Sequence, residues 1–178
     1  MSTTRDSDQL MRFLIFGAIA GMIGGVLMAI FIMLAAATYL HMSFFTPIYA
    51  IAAPLVGQQP LMTSMHSGVL YFAPGPALLG LLVHLMWSAF WGIIFGLVAR
   101  GLHLTGGVAI IGGLVYGLLV MLVMSFIVAP LVGAPNLLQM LGRVSFIISH
   151  ALFYGMPLGL WPVVQPRFFT GLTARSAV

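Results

Sequence analysis

Ala53-Pro54-Leu55-Val56-Gly57 returns further along the chain as Ala129-Pro130-Leu131-Val132-Gly133, residue for residue. Each copy lies between one long apolar segment and the next, and each has a second match upstream. Gly24-Gly25 leads to Met33-Leu34 in the first half, and Gly112-Gly113 leads to Met121-Leu122 in the second, at identical spacing. Matches this short also arise by chance in a chain so rich in Gly, Ala, Leu and Val, but an internal repeat decides a fold before local detail does. The pattern predicts two helix-loop-helix units, repeat 1 over about 13–100 and repeat 2 over about 106–167, with a proline-bearing loop at each turn. Together they make a single transmembrane domain over 1–178.

Composition sets the class. The chain is 62% hydrophobic and 4% charged, whereas a soluble domain covers its surface with about a quarter charged residues. It reads as an all-α, polytopic integral membrane protein. There is no lysine, glutamate or cysteine, and the two carboxylates, Asp6 and Asp8, lie at the N-terminus. Paired-carboxylate acid–base chemistry, cysteine nucleophiles, thiolate metal sites and a phosphate-binding Walker lysine therefore lack their residue types. That makes a non-enzymatic role the expectation. The six arginines stand singly near span ends rather than in a basic stripe, so the high pI is a topology signal and no nucleic-acid partner is expected.

Four apolar runs are long enough to span: from near Phe13 to Leu40, Ala77 to Arg100, Gly106 to Val128, and Val144 to Trp161. Between the first two, Pro47, Pro54, Pro60, Pro74 and Pro76 punctuate a connection rich in aromatics. Its apolar stretch Tyr49–Val56 is too short to cross, and reads as an interfacial or re-entrant piece resting on protein. Pro157 is expected to kink the fourth helix, with Pro162 and Pro166 marking its end. Four spans put both termini on one side with Arg5, Arg12, Arg100, Arg167 and Arg175, leaving Arg143 on the other. The positive-inside rule then makes the termini cytoplasmic in a bacterial inner membrane. Two hairpins of like orientation are parallel repeats, related by an axis along the membrane normal.

Gly17, Gly21 and Gly25 recur at four-residue spacing, and Gly113 and Gly117 repeat the pattern in the third span. Such stripes let backbones approach closely, either between copies in a homo-oligomer or inside one bundle. His84 and His150 each lie seven residues into their helices, and intramembrane ionisable groups are candidate functional sites. Arg143, His150, Tyr154 and Trp161 share one stripe; His84, Ser88, Trp91 and Phe95 share another. Two facing histidines capped by Arg143 would suit haem b, a pigment or a quinone. The plainer reading is interhelical glue, each imidazole bonding a neighbouring carbonyl or hydroxyl. On the outer side His41, Met62, Met65 and His66 are soft or borderline ligands that would suit Cu(I), although methionine most often only fills space.

Phe44-Phe45-Thr46-Pro47 through Ala53-Pro54, Gly75-Pro76-Ala77-Leu78-Leu79-Gly80 and Met121-Leu122-Val123-Met124-Ser125-Phe126 resemble strings in uncharacterised four-span bacterial membrane proteins. The resemblance implies fold and location, and brings no activity or catalytic residues. The expected role is an accessory or stabilising subunit packing against other membrane proteins within the lipid bilayer, through the glycine seams and Arg143. The alternatives are a cofactor-binding subunit of electron transfer built on His84 and His150, and a small oligomeric channel or transporter.

Overall fold

A computed structural model describes residues 2–67 and 70–164. The described residues form seven helices and no strand: α1 (Ser2–Thr38), α2 (Thr46–Val56), α3 (Gln59–His66), α4 (Pro74–Gly101), α5 (Gly106–Leu131), α6 (Leu137–Met140) and α7 (Arg143–Val164). Four of them, α1, α4, α5 and α7, are long and apolar enough to cross a membrane. Even α7, with 22 residues, reaches roughly 33 Å at 1.5 Å per residue, against a hydrocarbon core of about 30 Å.

The four long helices run up, down, up and down around a common axis. Gly17 meets Gly96 and Gly25 meets Ser88, so α1 and α4 are antiparallel. Gly113 meets Gly159 and Gly117 meets His150, which makes α5 and α7 antiparallel as well. Phe13 and Phe16 pack on Trp161 while Phe31 stacks on Phe153, closing α1 against α7. Phe95 packs on Tyr116, closing α4 against α5. Arg12 and Arg100 thus share one end of the bundle, and Arg143 starts α7 at the other.

The repeated pentapeptide corrects one expectation: neither copy is a loop. Each is the last turn of a helix, with proline inside and glycine as the stop. In the first, Gly57 has φ 85° and donates its N–H to Ala53 O at 3.0 Å. In the second, Gly133 has φ 67°. Its N–H reaches Pro130 O at 3.3 Å and Ala134 N–H reaches Ala129 O at 2.9 Å. That pair of bonds satisfies carbonyls that the end of a helix leaves unpaired, and glycine takes the left-handed position without strain. The two copies close different things. The second ends α5 itself; the first ends the short α2, after α1 has already stopped at Thr38.

Within the connection between α1 and α4, helix α2 packs on the protein. Ile48, Tyr49, Ala50, Ala52 and Ala53 of α2 are buried. Ile48 lies on Ala29 and Met33 of α1, and its carbonyl sits against Gly80 of α4. Tyr49 ties the far end down, accepting from Ala73 N–H at 2.7 Å and donating to Tyr71 O at 3.3 Å. Burial pushes its phenol above the usual value.

Proline also shapes the two later spans. Pro162 does not end α7, which continues to Val164, while Pro166 lies outside the described residues. Pro157 and Pro130 each follow a π-helical stretch by two residues: Ser149–Gly155 in α7 and Met124–Val128 in α5. A proline inside a helix lacks an N–H and crowds the carbonyl four residues back. Widening the preceding turn relieves that crowding, which accounts for a π turn just before each proline.

Candidate functional site

Both π turns open onto one cavity, of about 110 Å³, at the centre of the bundle. Its wall takes Met28 and Ile32 from α1, Ile51 from α2, His84, Trp87, Ser88 and Trp91 from α4, Met124 from α5, and Ser149, His150 and Tyr154 from α7. A neighbouring cavity of about 100 Å³ shares Ile51, Trp87, Met124, Leu137 and Phe146, and adds Ser125. The two adjoin along that shared wall and are taken together as one cleft, with the histidines on one side and Ser125 of the α5 π turn on the other.

The polar groups on this wall are mostly committed. His84 Nε2 lies 3.0 Å from Gly25 O across the α1–α4 seam, and His150 Nδ1 lies 2.9 Å from Phe146 O in its own helix. A carbonyl only accepts, so each of these nitrogens carries the proton. Tyr154 donates to Ser88 O at 2.7 Å, Ser88 to His84 O at 2.8 Å, Ser149 to Phe146 O at 2.8 Å, and Trp91 to the Met124 thioether at 3.3 Å. What remains is His84 Nδ1, His150 Nε2 and the Trp87 indole, none with a hydrogen bond among the described residues. The wall holds no acidic residue, so a buried imidazolium there would have no counter-charge on it. The two rings are therefore neutral, and their second nitrogens are lone-pair acceptors.

Ser125 is the exception. It is 4% exposed, and its hydroxyl has no hydrogen-bond partner among the described residues. Serine in a regular helix can return its proton to the carbonyl four residues back, as Ser88 does. Ser125 sits inside the π turn, where no such bond is made. The sequence signal for it was Pro130, five residues on.

Of the expected site residues, His84, His150 and Tyr154 come together on the cavity, with Ser88 and Trp91. Arg143 does not join them: it is exposed at the start of α7 and absent from the wall. A cavity of this size falls below the 300–1,000 Å³ of ordinary cofactor sites, so these residues do not fit a tetrapyrrole. On the other face, His66 spends Nδ1 on Met62 O at 2.8 Å, and Met65 packs against the Tyr49 and Leu61 cluster. His41 is exposed and takes the left-handed position after α1, at φ 54°. Among the described residues no three His, Cys, Asp or Glu side chains converge on a metal position.

The five expected packing glycines all face helices of their own chain: Gly17, Gly21 and Gly25 face α4, and Gly113 and Gly117 face α7. No family model, curated protein or solved structure is similar enough to this chain to match it.

Proposed function

We propose that the protein is a four-span integral membrane protein, non-enzymatic, that holds a small ligand in the cleft between its helices. Membrane insertion is supported by the inversion of its surface. Val108, Ile111, Val115, Leu119, Leu122 and Phe126 are exposed one after another along α5, while His84, Ser88, Ser125, Ser145, Ser149 and His150 are buried. A continuous apolar outer face suits lipid and not water. The α1–α4 and α5–α7 seams support two hairpins, each zipped by its own glycines, as the sequence repeat leads one to expect. With Arg12 and Arg100 at one end, the positive-inside rule puts that end and the N-terminus in the cytoplasm of a bacterial inner membrane. Arg167 and Arg175 lie outside the described residues.

One observation carries the ligand reading: both departures from regular helix, and both buried histidines, line a single cleft. Strain and unspent polar groups collect where a protein binds something. The accessory-subunit reading drew on the glycine seams, whose approach is here made within the chain. The test is to purify the protein gently into lipid nanodiscs, identify bound small molecules by native mass spectrometry, and repeat with Ile51→Phe, which fills the shared wall. A stoichiometric molecule lost in the variant is expected. An absorption spectrum should show no tetrapyrrole band. A preparation that neither carries nor takes up any small apolar molecule would remove the reading.

A further inference from the structure

The cleft has a polarity of its own. At one end stand two lone-pair nitrogens, His84 Nδ1 and His150 Nε2, and at the other an unpaired buried hydroxyl, Ser125 Oγ. Between them lie apolar and aromatic groups: Ile51, Met124, Leu137, Phe146 and the Trp87 ring. Ser88, Ser149, Tyr154 and Trp91 have already given their protons to protein acceptors. The histidine end therefore asks for a donor, and the serine end offers one.

Charge narrows the choice. No wall residue of either cavity is charged, so an ammonium or a metal cation would enter with no counter-charge in an apolar surround, a costly arrangement. A carboxylate or phosphate would meet acceptors that repel it. A neutral hydroxyl fits, because it can donate to an imidazole and accept from the Trp87 indole at once. Two adjoining cavities of about 110 and 100 Å³ hold roughly one substituted ring, by comparison with apolar cavities of about 150 Å³ that take up benzene.

We infer that the cleft binds a neutral single-ring hydroxylated compound of the phenol or quinol class, with one hydroxyl donating to His84 Nδ1 or His150 Nε2 and the opposite oxygen accepting from Ser125 Oγ. The inference rests on the ligand-binding reading above and specifies its chemistry. It involves binding only, with no electron or group transfer.

The probes are hydroquinone kept reduced, its dimethyl ether 1,4-dimethoxybenzene, and p-xylene. They differ in whether the ring can donate, only accept, or do neither. Each is titrated into the full chain in nanodiscs by ligand-observed NMR, with empty nanodiscs subtracted. Hydroquinone should bind about tenfold more tightly than the dimethyl ether, the difference that one or two hydrogen bonds carry. His150→Phe should shrink that ratio, and Ser125→Ala should weaken hydroquinone and the ether alike by a few-fold while leaving p-xylene unchanged. Equal affinity of hydroquinone and the ether in the wild-type protein overturns the inference and leaves the cleft a binding site. Failure of all three probes, p-xylene included, overturns the ligand reading itself. Should His150→Phe not fold, the wild-type ratio alone decides.

Discussion

Gly112 and Gly113 are neighbours in sequence, yet alanine at each should act in opposite directions. A Cβ at Gly112 would meet only the end of the Leu104 side chain, at 3.2 Å, which can swing aside. A Cβ at Gly113 would strike Gly155 O and lie 2.5 Å from Gly159 N and 2.7 Å from Gly159 Cα, all backbone. Ordinary contact begins near 3.4 Å, so α5 and α7 would have to part by roughly 1 Å, enough to forfeit up to about half of each dispersion contact along the seam. Inside a membrane that packing is the chief force between helices, because lipid offers no hydrophobic drive. Overpacking of this kind costs about 1–3 kcal/mol. Gly112→Ala should instead stabilise by about 0.5–1 kcal/mol, since alanine gives up less backbone freedom on entering a helix. Reversible unfolding in mixed dodecyl maltoside and SDS micelles, followed by tryptophan fluorescence, measures both. Equal effects at the two positions, or a tolerant Gly113, would refute the description of the α5–α7 seam.

Other outcomes follow from particular contacts. Tyr154→Phe removes the bond to Ser88 O and should destabilise by about 0.5–1.5 kcal/mol in the same micelle assay; a neutral result would mean that the bond adds nothing to holding α7 on α4. Tyr49→Phe should free the connection between α3 and α4, read as faster proteolysis there with the spans intact. Since the folded Tyr49 phenol holds its proton more tightly than an unfolded one, the stability it lends is complete below about pH 10 and fades as pH rises beyond. Raising the pH of the wild-type protein should therefore mimic the variant. The chain has no native cysteine, so Arg143→Cys and Arg100→Cys can each be labelled alone in intact cells; an impermeant maleimide should reach the first and not the second, and the reverse would invert the proposed topology.

The four long apolar helices and their approximate bounds were legible in the sequence because apolar length is a strong signal; the short α3 and α6 were not. Charge scarcity helped, leaving arginine only at span ends and near the termini. His84, His150 and Tyr154 could be placed on one wall from helical stripes alone. What the stripes could not show is reach: Arg143 lies seven residues before His150 and Trp161 seven after Tyr154, roughly 10 Å along the axis in each case, and neither lines the cavity. Nor does regular spacing show the π turns, in one of which Ser125 lacks the acceptor a regular turn would offer. The repeated pentapeptide reads as a loop in the sequence and forms a helix end in the structure, since an Ala-Pro-Leu-Val-Gly string serves either. Its proline tolerates the last turn, and its glycine supplies the stop.

A π turn is one residue too many for the helix that contains it. At the start of the widened stretch in α7, Ser149 and His150 are presented to the cleft; at its end and just beyond, Gly155 and Gly159 close on α5. A regular helix offers a single phase and could not serve both without rotating one set by about 100°. The extra residue acts as a clutch between them. Deleting one residue from this stretch would leave a regular helix and a chain forced to choose between its packing seam and its cleft.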